Sequence, residues 1–567
     1  MNLVNLVNLV AQAKSQLMAP SAPFEIKSRE VNGQTFQIYC NAPLNLSQVI
    51  NDSRRMDEQE FLIYQEQRLS FKTFFEQVDS LASWMTQQGI VKGDRVAIAM
   101  RNRPEWVIAF CATALIGAVP APLNSFGMEQ ELNDALKIIE AKLVICDGPR
   151  WQRINQTNAW FNDALVLNDT GLDLSSQSTV TELSIALNYP VIELELPEIA
   201  DTDPALVLFT SGATSEAKAV VSSHIAVCQS LFNIDFIGAI TAMTSPKAIA
   251  RIMEIGIIPT TLTAVPLFHV SGLHAQLLAS LRGGRRLVFT HKWNATDAIE
   301  LMKQEQVTQF NGAPSMVMQL LREPSFHTKD VMKSFCGLGF GGAGLPATLV
   351  DKALSALTEQ LIGIGFGMTE TNGVGAAAAG ELFRHKPKSS GLISPIMDVR
   401  ICTPEGESLP ANEVGEICMR GVTLMDEYLG SPSTTQEALR SGWLHSGDLG
   451  YIDDAGFLFI VDRIKDVIIR AGENISSAEV ESCLLEHSEV AEAAVFGIPD
   501  EETGEAVIAV VYSLPSMSLT ENALLEHVTQ RLAKYKIPSK IFISDEKLPR
   551  NPAGKLVRNE LKKALYP

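Results

Sequence analysis

The apolar positions fall into two alternating rhythms. Residues 93–100, Gly93-Asp94-Arg95-Val96-Ala97-Ile98-Ala99-Met100, 143–146 and 205–209 are short, nearly unbroken apolar runs of buried-strand length. Between them, residues 69–88 place apolar side chains at helical spacing, and residues 105–123 read as an Ala/Gly-rich core helix plus a turn broken by Pro120 and Pro122. That segment lacks the uninterrupted length of a membrane span. A strand–helix–strand rhythm of this kind predicts an α/β domain around a largely parallel sheet.

Other stretches are less regular. Residues 151–204 are polar and read as loops and edge elements. Residues 232–262 are apolar but interrupted by Pro246, Lys247, Arg251 and Glu254, which favours buried helices, with a lipid-facing or acyl-channel wall as the alternative. Ser222-Ser223 supplies a cap for a helix beginning near His224. The opening residues repeat Asn-Leu-Val three times and predict a short packing helix without the basic n-region of a signal peptide. At most it makes a peripheral membrane contact, since Lys14 is the only basic residue before Lys27. Near the other end, Ser518-Leu519-Thr520-Glu521 has capping-box character, and Leu524, Val528 and Leu532 then share one helical face.

The length, 567 residues, exceeds what one core supports and predicts a large domain plus a smaller one. A net charge of −19 argues against nucleic acid as a partner, which calls for a basic face, while leaving local anion sites open. Eight scattered cysteines without C-x-x-C spacing fit a reducing, cytoplasmic setting, and the nine histidines show no metal-ligand spacing.

The stretch with the clearest chemistry is Thr210-Ser211-Gly212-Ala213-Thr214-Ser215-Glu216-Ala217-Lys218, directly after the 205–209 run. Small, hydroxylated residues ending in a Lys let backbone N–H groups approach a phosphate, but the same composition also makes ordinary surface turns. It resembles the phosphate loop of the adenylate-forming (ANL) superfamily, T/S-S-G-T-T-G-x-P-K-G, through Thr210, Ser211, Gly212, Thr214 and Lys218. Ala213, Ser215, Ala217 and Ala219 depart from it.

Further motifs follow in family order. Pro266-Leu267-Phe268-His269-Val270-Ser271-Gly272 resembles the aromatic motif whose His borders the acyl pocket, and the residues beyond it continue the likeness to fatty acid–CoA ligases. Phe310-Asn311-Gly312-Ala313-Pro314 and Gly341-Gly342-Ala343-Gly344 look like the acyl-pocket wall and the adenine shelf. Gly365-Phe366-Gly367-Met368-Thr369-Glu370 resembles Y/F-G-x-T-E, and Gly442-Trp443-Leu444-His445-Ser446-Gly447-Asp448 resembles G-W-x-x-T-G-D. Asp462-Arg463-Ile464-Lys465-Asp466 is similar to the interdomain hinge, Ile468 to Ile475 to I-x-x-G-G-E-N-I, and Pro549 to Lys555 to P-R-x-x-x-G-K.

The resemblance implies an α/β fold, acyl-CoA synthetase-like: a large N-terminal multi-sheet domain (1–461), a hinge (462–466) and a small mobile C-terminal lid (467–567). It implies an AMP-forming acid–thiol ligase using ATP, Mg²⁺ and CoA. A carboxylic acid, most readily a medium- or long-chain fatty acid, becomes an acyl-adenylate and then a thioester.

Lys555, Thr369, Glu370 and His269 take the catalytic roles, with Glu370 on the metal. Thr210, Ser211, Gly212, Thr214, Lys218, Gly342, Ala343, Gly365, Phe366, Gly367, Asp448 and Arg463 bind the nucleotide. Gly472 and Glu473 meet CoA, and Lys465 is the pivot. An aryl acid, a carrier-protein thiol in place of CoA, a luciferase-like oxygenase and a catalytically weak nucleotide-binding homologue remain alternatives, and a homodimer is left open.

Overall fold

The computed structural model describes residues 3–154, 160–175, 177–210, 217–341, 345–513, 519–551 and 554–566. One 14-stranded sheet runs through the N-terminal part. Six of its neighbouring strands are parallel, in the order Glu60–Tyr64, Arg286–Phe289, Thr260–Thr263, Gln309–Gly312, Gly337–Phe340 and Leu361–Phe366. Antiparallel strands extend it from Ala376–Ala379 to Met397–Cys402.

A second sheet of five parallel strands contains the apolar runs at Arg95–Ala99 and Leu143–Asp147, buried on both faces as parallel strands require. Between the two layers pack Phe71–Gln87 and Pro104–Leu115. Every residue of the second helix is buried, so its apolar surface has no polar side.

The turn expected at Pro120 and Pro122 is instead a strand, Val119–Pro122, at the edge of the second sheet. Proline survives there because an edge strand leaves one row of N–H positions unpaired. Strand Asp163–Leu167 likewise lies inside the stretch read as irregular.

The N-terminal helix Leu3–Leu17 buries Leu6, Val10 and Ala13 and packs on the long helix His224–Thr244. Long and apolar enough to cross a bilayer, that helix is nonetheless mostly covered by protein. Ser223 precedes it in an extended conformation but makes no side-chain cap. The next helix, Pro246–Ile255, corrects the expectation of buried helices, since none of its residues is buried. Ile249, Ile252 and Ile255 instead border a cavity.

Strand Phe457–Arg463 ends the large sheet. The single turn Ile464–Asp466 follows, and Ile468–Arg470 opens a separate five-stranded sheet completed by Lys540–Ser544. In this C-terminal unit the helix Glu521–Thr529 is capped by Thr520, whose hydroxyl accepts from Ala523 N at 3.3 Å. Glu521 is therefore its first residue rather than the fourth of a box, and its carboxylate ties the helix to Lys540 and Ile541 N. Ser518 lies outside the described residues.

Candidate functional site

At the carboxyl ends of the parallel strands, the large sheet, the strand pair Pro204–Phe209/Ala219–Ser223 and the C-terminal unit enclose a cavity of about 5100 Å³. Strand Leu361–Phe366 leads into it and turns at Gly367. A Cβ at Gly367 would lie 2.3 Å from the carbonyl of Gly373, so only glycine lets the two backbones pass. The single turn Thr369–Thr371 follows, braced by Thr371 Oγ1, which accepts from Met368 N at 3.1 Å.

That turn sets the Glu370 carboxylate inside the protein, 8% exposed, where Tyr428 Oη donates to Oε1 at 2.8 Å. Burial and the neighbouring carboxylate push the Tyr428 phenol well above its ordinary pKa, so it stays a donor. Over the same ring, at 4.7 Å, sits Lys218 Nζ. Lys218 closes the predicted phosphate loop: Thr210 N donates to its carbonyl at 2.9 Å. Ser211, Gly212 and Thr214 lie outside the described residues, as do Gly342 and Ala343.

Across the cavity Asp448 and Arg463 are register partners on adjacent antiparallel strands, and Arg463 Nε donates to Asp448 Oδ1 at 2.8 Å. Burial raises the Asp448 carboxyl pKa, with Arg463 opposing the shift. The approach to Asp448 is fixed from below by Glu416, which accepts from Gly447 N at 3.0 Å and meets His445 Nδ1 at 2.7 Å. Ser446 Oγ accepts from Asp448 N at 3.0 Å.

Lys555 reaches this group from the C-terminal unit. Asn551 Oδ1 accepts from its backbone N–H at 2.9 Å. A Cβ on neighbouring Gly554 would come 2.8 Å from that of Ala313, so the loop is seated against the N-terminal domain. Burial, reinforced by Arg463, lowers the Lys555 pKa, while Asp448 and Glu370 act to raise it. His269 borders the same cavity with Nε2 unpartnered, and burial, aided by Lys555, brings its pKa down to about 4, leaving a neutral imidazole at pH 7.

The structure thus brings together His269, Thr369, Glu370, Asp448, Arg463, Lys218 and Lys555, with Gly365, Phe366 and Gly367 as floor and Lys465 at the margin. It does not bring in Gly472 and Glu473. These sit on an exposed hairpin of the C-terminal unit, and Glu473 borders a separate depression of about 370 Å³ with Arg470, Ala471, Lys534 and Tyr535. Two supports were missed in the sequence, Tyr428 and Glu416; the G-E-I start of the strand Gly415–Gly421 is the only local signal for the second.

A buried carboxylate, a ribose-sized acidic turn with its arginine, and a loop-borne lysine converging on one cleft define a site for a nucleotide whose phosphates meet a second substrate. Residues 51–429 match the family model of the AMP-binding enzymes, and residues 479–555 that of the AMP-binding enzyme C-terminal domain. The chain belongs to this family, the adenylate-forming superfamily, in its acyl-CoA synthetase branch, and is an AMP-forming acid–thiol ligase.

It is 31% identical over 491 residues to 4-coumarate–CoA ligase 3 of Arabidopsis thaliana, spanning 86% of this chain and 84% of that protein. It is 30% identical over 504 residues to the long-chain-fatty-acid–CoA ligase FadD13 of Mycobacterium tuberculosis, spanning 88% and 94%. Among solved structures, o-succinylbenzoate coenzyme A synthetase (MenE) of Bacillus subtilis in complex with ATP and magnesium ion superimposes with a TM-score of 0.73 at 28% identity, over 91% of this chain and 99% of that one.

Proposed function

We propose that this enzyme activates an elongated carboxylic acid of medium to long chain with ATP and transfers the acyl group to CoA. The observation that carries the choice of acid is the floor of the cavity. Strands Gln309–Gly312 and Gly337–Phe340 alternate in burial: Phe310, Leu338 and Phe340 are buried in the core, the last two also touching the cavity, while Gln309, Asn311, Gly337 and Gly339 are less buried and border it. Gly337, Gly339 and Gly341 carry no side chain of their own, so a slot runs along this strand, walled by Gln309 beside Gly337, crossed by the Asn311 side chain at Gly339 and open at Gly341. Four residues of strand advance about 13 Å through three bonds each, so the slot matches an extended chain of about a dozen bonds.

In the first step an acid oxygen attacks the α-phosphate of ATP, the bond to the β-phosphate oxygen breaks, and pyrophosphate leaves. Lys555 places its charge beside the phosphate oxygens, Asp448 accepts from the ribose hydroxyls, and Lys218 with Thr210 cradles the leaving phosphates. His269, neutral, hydrogen-bonds the acid without adding charge. Glu370 suits a magnesium ion: it is a cavity-lining carboxylate of which, among the described residues, only Oε1 is engaged. When bound, the ion supplies positive charge at the phosphates. In the second step the CoA thiol attacks the acyl carbonyl and AMP leaves; Gly472 and Glu473 serve this step, which requires the C-terminal unit to turn about Lys465.

Pyrophosphate release from a panel of fatty and aryl acids, with and without CoA, tests the reading. Lys555→Ala is expected to lose most adenylation while converting supplied acyl-adenylate and CoA to thioester. Equal loss in both half-reactions refutes the role given to Lys555, and preference for aryl acids refutes the acid class.

A further inference from the structure

The slot is not lined as a hydrocarbon pocket should be. One wall is a connected series of polar side chains. Arg285 Nη1 donates to Gln309 Oε1 at 3.1 Å, Gln309 Nε2 to Asn311 Oδ1 at 3.2 Å, and Gln276 Nε2 to the Asn311 carbonyl at 3.2 Å. All four residues border the cavity. Asn311 leans over the slot, since a Cβ at Gly339 would lie 2.1 Å from its Oδ1.

Two of these groups have capacity left over. Gln276 is 1% exposed and its Oε1 has no partner, so a buried acceptor is left unanswered on a side chain that borders the cavity and is tied to Asn311. Arg285 joins no ion pair among the described residues; the nearby Asp235 is paired with Arg282. Partly burying a guanidinium with a neutral amide as its hydrogen-bond partner, and fully burying an amide oxygen with none, costs stability that a plain alkyl tail does not repay. The order along the slot is also informative. Gln309 and Gly337 begin their strands and Arg285 precedes Arg286–Phe289, so the arginine stands at the end opposite to His269 and Thr369, which follow strand ends.

Resting on the ligase reading above, we infer that the acid carries oxygen beyond its carboxyl group: an acceptor at the far end of the chain for Arg285, with a hydroxyl able to serve Gln276 as well. The shared chemistry is an oxygenated tail, either a terminal hydroxyl or a second carboxylate. A terminal carboxylate matches the guanidinium fork best.

The test compares lauric acid, its ω-hydroxy derivative and the α,ω-dicarboxylic acid of the same length on the full chain. Direct binding is read by isothermal titration calorimetry, and turnover by pyrophosphate release and thioester formation. The expected result is binding of at least one oxygenated acid about tenfold or more tighter than lauric acid. Arg285→Leu should bring that ratio to within about twofold, and Arg285→Lys should restore part of it for the dicarboxylate. Equal or tighter binding of lauric acid to the unmodified protein overturns the inference, whether or not the variants fold. An oxygenated-acid preference in binding without pyrophosphate release upholds the inference and counts against the ligase reading of this site.

Discussion

Replacing Tyr428 by Phe removes one oxygen and keeps the ring beneath Lys218 Nζ, so the change is confined to the 2.8 Å hydrogen bond to Glu370. The bond ends on a carboxylate that is 8% exposed, where water replaces a lost donor poorly. Hydrogen bonds to ionised groups contribute about 1.5–3 kcal/mol, and at about 1.4 kcal/mol per tenfold the variant loses roughly 10- to 100-fold in kcat/KM for ATP. Without the phenol the carboxylate is also worse oriented for a cation, so half-saturation by magnesium moves to higher concentration. Initial rates of pyrophosphate release across a magnesium titration, at saturating acid, read both effects. Thermal unfolding of the same samples separates misfolding from misplacement. Kinetics and magnesium dependence within about twofold of the unmodified enzyme would refute the assignment of Tyr428 to the Glu370 site, all the more if Tm alone fell.

Gly367→Ala forces a methyl group to 2.3 Å from the Gly373 carbonyl, and because both partners are backbone the turn itself must move. Adenylation should drop by two orders of magnitude or more while CoA-dependent consumption of supplied acyl-adenylate declines less; parallel decline would mean general unfolding. His274, 1% exposed, has its pKa lowered by burial to about 4, so between pH 6.5 and 4 the unfolded chain binds the extra proton and stability falls on acidification. His274→Asn should therefore narrow the stability difference between pH 7.5 and 5.0 by about 2 kcal/mol, from about 1.36 kcal/mol per pKa unit, as read by urea midpoints; an unchanged difference contradicts the buried neutral state. Lys465 lies in the first helical turn after Arg463, where proline's fixed φ is tolerated, so Lys465→Pro should keep the arrangement with Lys555 in the cavity. Pyrophosphate release should stay within a few-fold while thioester formation falls at least tenfold, and equal losses would place the pivot elsewhere.

Contacts made by residues close in sequence were legible: the Gly367 turn, the Asp448 turn and the Lys555 loop each carry their geometry in a few consecutive residues. Tyr428 was not, because it lies 58 residues from Glu370 on the two-residue strand Glu427–Tyr428, too short to show any pattern. Strand Val119–Pro122 was misread because proline reports on the missing N–H, while what decides its place is whether a neighbour needs that N–H. Helix Pro246–Ile255 was misread because apolar content predicts that a face is covered, and here three isoleucines face a cavity rather than a packed core. The polar wall of the slot was invisible for a related reason, since Arg285, Gln309 and Gln276 come together only through strand register.

The last strand of the large sheet joins the nucleotide site to the C-terminal unit. Strand Phe457–Arg463 places successive side chains on opposite faces, so Arg463 turns toward Asp448 while Asp462 turns away. The buried Asp462 carboxylate accepts from Ser476 Oγ at 2.8 Å and from Ala478 N at 3.3 Å, at the N-terminus of the C-terminal unit's helix Ser477–Leu485. A carboxylate there also meets the positive end of the helix dipole. One turn further on, Asp466 pairs with Arg558, which is itself paired with Glu481 on that same helix. The contacts of Asp462 and Asp466 across the link are therefore hydrogen bonds and ion pairs rather than packed apolar surface. When the units part these groups become solvated and water replaces their partners at small net cost, whereas parting an apolar interface would cost about 25 cal/mol for each Å² exposed. A polar link of this kind sets the orientation in which Lys555 enters the cavity while keeping low the cost of leaving it, and a second step that needs Gly472 at the same acyl group requires both properties of one short segment.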